Sequence, residues 1–258
     1  MAILTGLGDL FRKQVPAGEL KETDRLDGKT VLVDGSSSGL GFAVAVDVAR
    51  RGAKVIMACR SGIPAKGEKV KELSGNAGVT MLPVDFSDIR SIVGLVKTIS
   101  SGPKIDILVC NAGMVPGRSR QTRQGLEEMF TVNYFSKFVF VNLLLENGCF
   151  VQRDFGSLSP RAIPRIIFVS SETHRNPGKF DWEGFGKYRE YGMGKSMELY
   201  GYYKLLLTTF ACELSRRLNH GDETQFSVFA LCPGPVNSNI AREAPVIFRP
   251  LLKVVLGI

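Results

Sequence analysis

Two tyrosine–lysine pairs carry side chains suited to acid–base chemistry: Tyr191 with Lys195, and Tyr200 with Lys204, each four residues apart. On a helix that spacing sets ammonium and phenol on one face. An isolated phenol, with a pKa of about 10, exchanges protons poorly at neutral pH. A cation about 4 Å away, at an effective dielectric of about 20, is worth roughly 4 kcal/mol, or about three pK units before desolvation subtracts from it. Such a pair is expected to bring the phenol toward neutrality. Gly192 and Gly194 fall inside the first pair and weaken a helix there, whereas Tyr200 leads into the apolar-periodic "YGYYKLLLTTFACELSRRLNHG". Tyr200 and Lys204 are therefore the expected acid–base pair.

A second constellation is "VLVDGSSSGLG", Val31 to Gly41. Gly35, Gly39 and Gly41 follow an apolar run and open a helical one, so backbone N–H groups and a helix N-terminus face whatever binds there. That makes an anion site. Its GxxxGxG spacing differs from GxGxxG and from GxxxxGK[ST], which disfavours ATP hydrolysis. Asp34 enters this turn as an acid, and a carboxylate beside a phosphate would repel it. Its side chain is expected to turn below the loop onto backbone N–H donors, leaving the hydroxyls of Ser36, Ser37 and Ser38 for the anion.

Elements that position these groups alternate as short β-branched runs and longer helical segments, the mark of βαβ units. Strands are expected at Thr30–Asp34, Lys54–Cys59, Val79–Val84, Ile105–Cys110, Arg165–Ser170 and Gln225–Leu231, and most are apolar throughout, as strands covered on both faces must be. Helices are expected in "GFAVAVDVARRG", "RSIVGLVKTISS", "GLEEMFTVNYFSKFVFVNLLLENG" and the segment from Tyr200 to Gly221. The fold class is α/β, a doubly wound, mostly parallel sheet. Residues 1–29 read as an N-terminal arm and 30–258 as a single domain, a size that one core can serve.

Five cysteines without CxxC spacing argue against a disulfide framework or a zinc site, and point to a reducing compartment. The net charge of +8 is spread along the chain in pairs such as Arg50–Arg51 and Arg216–Arg217, with no dense block, which disfavours nucleic acid. "MAILTGLGDLFRKQ" is too short to span a bilayer and lacks a basic leader. Cytoplasmic location is expected, with peripheral contact to a membrane surface through the apolar ends. His174 and His220 read as polar surface residues. Trp182, Phe180 and Phe185 are candidates either for an apolar substrate mouth or for a cap on the core.

From Gly28 to Ser238 the motifs resemble, in order, those of the short-chain dehydrogenase/reductase family, whose first turn is TGxxxGxG; Asp34 replaces the family's threonine. "PVDFSD" resembles the adenine-binding segment with Asp85 at the adenine amino group and Phe86 beside it. "VCNAG" resembles the NAG motif of Asn111, Ala112 and Gly113. "TVNYFSKF" places Asn133, "IIFVSSETH" places Ser171, Tyr200 and Lys204 form YxxxK, and "CPGPVNS" resembles the PGxVxT loop over the nicotinamide. The resemblance implies that Tyr200 gives or takes the carbonyl proton, Ser171 orients the substrate oxygen, Lys204 also holds the nicotinamide ribose, and Asn133 anchors a water in the proton relay. It assigns the cofactor to Gly35, Ser37, Ser38, Gly39, Leu40, Gly41, Arg60, Asp85, Phe86, Asn111, Ala112, Gly113, Tyr200, Lys204, Pro233, Gly234, Val236 and Ser238.

Arg60, just past the second strand, suits a ribose 2′-phosphate because its planar fork bonds it bidentately, so NADP (NADPH) is the expected cofactor. "ACR" resembles the retinol dehydrogenase-like, NADP-preferring members, implying a lipophilic carbonyl or alcohol substrate. Paired apolar helices imply a homodimer. No metal is expected. The competing class is a non-catalytic dinucleotide-binding sensor or regulator. The last strand's edge needs a cover, which "EAPVIFRPLLKVVLGI" is expected to supply by folding back near the substrate mouth.

Overall fold

The computed structural model describes residues 18–152, 163–175, 177, 181–220 and 223–234. All five residues of β1 (Thr30–Asp34) are buried, and its β-branched and bulky side chains suit a pleated backbone covered on both faces. Around it lie β2 (Lys54–Cys59), β3 (Val79–Pro83), β4 (Ile107–Cys110), β5 (Arg165–Val169) and β6 (Ser227–Leu231). They form one parallel sheet in the order β3-β2-β1-β4-β5-β6. This is the Rossmann-type doubly wound order, and its direction of winding reverses between β1 and β4. A crevice opens at the carboxyl ends of those two strands, where such sheets bind ligands.

Side-chain alternation splits the core in two. Val31, Val33, Val55, Met57 and Val109 face α1 (Gly39–Arg50) and α2 (Ala65–Ser74) through Ala45, Val46, Ala49 and Val70. Leu32, Ile56, Leu108 and Ile166 face the opposite layer, through Ile92 and Leu95 of α3 (Ile89–Ser100), Phe140 and Leu144 of α4 (128–146), and Leu207 of α5 (Met193–Leu218). The helix α4 joins Glu128–Phe130, a π-helical turn Thr131–Phe135, and Ser136–Glu146. Its start is set by the buried Glu127 carboxylate, which accepts from the N–H groups of Met129 (2.9 Å) and Phe130 (2.6 Å).

Two strands match their expected limits, and four are shorter by one or two residues at one end. One helix was not expected: α2, "AKGEKVKELS", buries only Gly67 and Val70 and so shows no apolar stripe. α5 begins at Met193, ahead of the apolar segment, with Gly192 as its N-cap. On β6, Phe229 and Leu231 are 49% and 41% exposed. The segment expected to cover that edge lies outside the described residues.

Candidate active site

The glycine loop leaves β1 through Gly35, whose φ of +62° is open to glycine at little cost. A Cβ there would lie 2.7 Å from the Cα of Ala112, so the loop rests directly on the turn after β4. Asn111 ties the two together by donating from Nδ2 to the carbonyls of Asp34 and Gly35, both at 3.2 Å. The Asp34 carboxylate is turned away from the loop, as expected: Oδ1 accepts from the N–H groups of Asn111 (2.7 Å) and Ala112.

Ser38 is the N-cap of α1 but makes no side-chain cap, and the first turn carries no acid. Its free N–H groups and dipole therefore face the crevice, beside Gly39, Leu40 and Gly41, and suit a phosphate. Ser37 lies on the same rim. Ser36 does not: it is fully buried, with its hydroxyl 3.9 Å from the Cys59 sulfur, which removes it from the expected phosphate donors. Arg60 is exposed and has no hydrogen-bond or ion-pair partner among the described residues. The turn that follows it folds back on the loop, since a Cβ at Gly62 would lie 3.6 Å from the Cβ of Ser37. Asp85 follows β3 and accepts from the N–H (2.9 Å) and hydroxyl (2.7 Å) of Ser87 through one oxygen. The Phe86 ring packs edge-on against Phe140, 5.6 Å between centroids, so its side chain belongs to the core rather than to the cleft.

Tyr200, Ser171, Lys204 and Asn133 converge at the carboxyl end of β4 and β5. Tyr200 is 8% exposed, and the Ser171 side chain stands near enough to act on its phenol, while Ser171 Oγ accepts from the Thr173 hydroxyl at 3.0 Å. The neighbouring Ser170 is buried against the Thr208 hydroxyl at 2.8 Å, a structural bond that leaves Ser171 as the serine at the site. Lys204 donates to the Val169 carbonyl at 2.7 Å, and its Nζ sits 5.6 Å from the centre of the Tyr200 ring. Burial lowers its pKa to about 8, with Lys137 adding to the drop. Asn133 is fully buried in the π-helical turn, where Oδ1 accepts from the N–H of Met114 and Nδ2 donates to its carbonyl, both at 2.8 Å. Gly113 lies between them: a Cβ there would be 3.2 Å from Asn133 Oδ1 and 3.6 Å from Lys204 Nζ.

One expectation about Tyr200 is corrected. Its phenol is raised rather than lowered, because burial outweighs the opposing effect of the Ser171 side chain, and the lysine ammonium lies over the ring, 5.6 Å from its centre. The other pair is separate in space. Tyr191 lies before α5 and donates to Glu127 at 2.5 Å, which with burial pushes its phenol far up, while Lys195 pairs with Glu198 on the surface at 2.7 Å.

Pro233 and Gly234 follow β6, and Cys232 is near enough to act electrostatically on both Tyr200 and Lys204. Val236, Ser238 and Phe180 lie outside the described residues. Phe185 stacks edge-on against Phe130 at 5.0 Å and caps an aromatic cluster, whereas Trp182 is 76% exposed. His174 is half-buried, its Nδ1 2.6 Å from the Ser171 carbonyl oxygen, so it braces the serine's turn instead of standing on the surface; His220 is exposed. Lys137 was missed by sequence reasoning, although a lysine within "FSKFVFV", four residues after Asn133, is itself a signal. No cluster of metal-ligating side chains occurs among the described residues, and none of their helices is long and apolar enough to cross a membrane.

A family model described as short chain dehydrogenase matches residues 29–182. Dehydrogenase/reductase SDR family member 13 of Bos taurus is 32% identical over 265 residues, covering 98% of this chain and 65% of its own length. Retinol dehydrogenase 14 of Mus musculus is 34% identical over 245 residues, covering 89% and 68%. A crystal structure of an uncharacterized protein from Mycobacterium Paratuberculosis superposes with a TM-score of 0.66 at 29% identity, over 92% of this chain and 80% of that one. A short-chain dehydrogenase from Sphingobium yanoikuyae in complex with NADPH shares the fold, with a TM-score of 0.63 at 21% identity over 89% and 82%. With its reversal crevice, glycine loop and Tyr-Ser-Lys-Asn cluster, the chain belongs to the short-chain dehydrogenase family. It spans about two thirds of the length of the two relatives named above.

Proposed function

We propose that this chain is an oxidoreductase that uses NADP(H) to interconvert a lipophilic carbonyl compound and its alcohol. The observation that carries this reading is the meeting, at one end of the sheet, of the buried Tyr200 phenol with Ser171 beside it, Lys204, and an uncapped, acid-free helix N-terminus. Bound in the crevice, NADP(H) would supply the hydride for reduction or accept it in oxidation. The Tyr200 hydroxyl gives a proton to the substrate oxygen in reduction and takes one from it in oxidation, while the Ser171 hydroxyl orients that oxygen. Lys204 is the group to hold the nicotinamide ribose, and its charge there offsets the burial that raises the phenol. Asn133, by gripping Met114, fixes the backbone beside the relay.

Arg60, exposed and unpaired among the described residues, is assigned to the 2′-phosphate, with Ser37 and Ser38 on the same rim. Asp85 is assigned to the adenine amino group, and Pro233, Gly234, Val236 and Ser238 to the nicotinamide side. The retinol dehydrogenases among its relatives motivate retinoids as first substrates. Residues 30–258 acting as one domain, a homodimer and attachment at a cytoplasmic membrane surface belong to the same reading. The test is NADPH oxidation against a panel of retinal, steroid ketones and aromatic aldehydes. Saturable turnover of any of them supports hydride transfer; NADPH binding with no turnover across the panel refutes it in favour of a sensor.

A further inference from the structure

The chemistry above leaves one buried ion pair unused. Asp34 and Lys137 have side chains 0% and 1% exposed, with Nζ 2.9 Å from Oδ2 as a charge contact rather than an aligned hydrogen bond. The ammonium also lies 3.8 Å from the centre of the Phe86 ring, a favourable cation–π distance. The other carboxylate oxygen, Oδ1, holds the turn after β4 through Asn111 and Ala112, and Ala112 is the residue on which Gly35 rests. Asp34 thus braces the glycine loop from beneath, where an unpaired carboxylate is costly and would repel an anion bound above.

Three titratable groups face Asp34: Lys137 from α4, Cys110 from β4 and Lys204 from α5. Burial, with Asp34 adding to it, raises the Cys110 thiol well up, so it stays neutral. Lys204 is already engaged with the Val169 carbonyl. Lys137 is the cation in contact with the carboxylate.

We propose that Lys137 is a positioning residue for the dinucleotide: by neutralising Asp34 it allows a carboxylate to brace the glycine loop without setting negative charge beneath the pyrophosphate. This rests on the dinucleotide-binding reading above. Lys137→Met keeps the length of the stem and removes the charge. Asp34 is then buried without its cation, and an anion bound above it favours the neutral, protonated carboxyl. The variant must therefore take up a proton on binding.

The experiment is calorimetric titration with NADP⁺ at several pH values between about 6 and 9. It is read as the ratio of the Kd of Lys137→Met to that of Asp34→Asn/Lys137→Met: both lack the lysine that helps to lower Lys204, so that effect and the titration of the 2′-phosphate are common to the two. The ratio is expected to lie near one at the acid end and to grow by up to about tenfold per pH unit as pH rises. A ratio that is equal at every pH marks a purely structural side chain and overturns the proposal. Where Lys137→Met does not fold at the alkaline end, its melting temperature is followed on acidification; recovery supports the proposal and no recovery overturns it. A wild-type protein that binds no NADP⁺ at any pH overturns the dinucleotide reading and this inference with it.

Discussion

Lys204 is held in the folded chain at a cost that can be measured by removing it. Its pKa falls from 10.5 to about 8, chiefly because burial disfavours the ammonium. A group whose folded pKa is depressed gives its full contribution above the unfolded value and loses it as pH falls through the folded value, because the unfolded chain binds more protons between the two. Stability of the wild type should therefore rise between about pH 8 and 10.5, and below that window the buried charge costs roughly 3 kcal/mol. Lys204→Met fills nearly the same volume without the charge, but forfeits the 2.7 Å charged bond to the Val169 carbonyl, worth about 1.5–3 kcal/mol. The net expectation at pH 7 is a stabilisation of up to roughly 1.5 kcal/mol, or up to about 3–6 °C in melting temperature, in a variant that has lost its activity. At pH 10 the gain should nearly vanish. Thermal unfolding without cofactor, scanned by circular dichroism at both pH values, reads this directly. A variant destabilised equally at pH 7 and pH 10 would show that the ammonium is not held against a desolvation penalty, and the reasoning would fail.

Tyr200→Phe removes only the hydroxyl, so NADPH affinity should hold while turnover falls about 100-fold to 10,000-fold, measured by fluorescence titration beside steady-state rates. Tyr191→Phe should leave turnover nearly intact and lower the melting temperature, since it strips the hydroxyl from buried Glu127; loss of turnover here would reverse the assignment of the two tyrosines. Arg60→Ala should weaken NADPH by about 1.5–3 kcal/mol and barely affect NADH, whereas equal losses for both would refute the 2′-phosphate role. Gly35→Ala sets a Cβ 2.7 Å from the Ala112 Cα at a positive φ, and should destabilise by at least about 1–2 kcal/mol in a denaturant titration; a neutral result would mean that the loop stands off the β4 turn.

β1 and β2 could be read to the residue because their apolar runs end in a glycine turn and a charged arginine, both of which stop a strand. α2 could not, because it buries only Val70 and Gly67, leaving little periodicity to detect. The choice of Tyr200 over Tyr191 was legible in the flanking glycines, and Gly192 does cap the helix between them. The raised phenol of Tyr200 was not, since desolvation depends on what the fold packs around the hydroxyl. Asp34 announced a buried acid at a strand end; its counter-ion did not announce itself, because local periodicity carries no information about which distant carboxylate a helical lysine will meet.

The bond from Asn111 N–H to Asp34 spans 77 residues of chain and joins β1 to β4, the two strands where the sheet changes its direction of winding. Within β1 to β3 that carboxylate has neither its N–H donors nor Lys137, which come from the segments after β4 and on α4. Only when β4 and α4 dock does the glycine loop acquire its floor. The ability to retain a dinucleotide in the loop therefore reports that the two halves of the sheet have closed on each other.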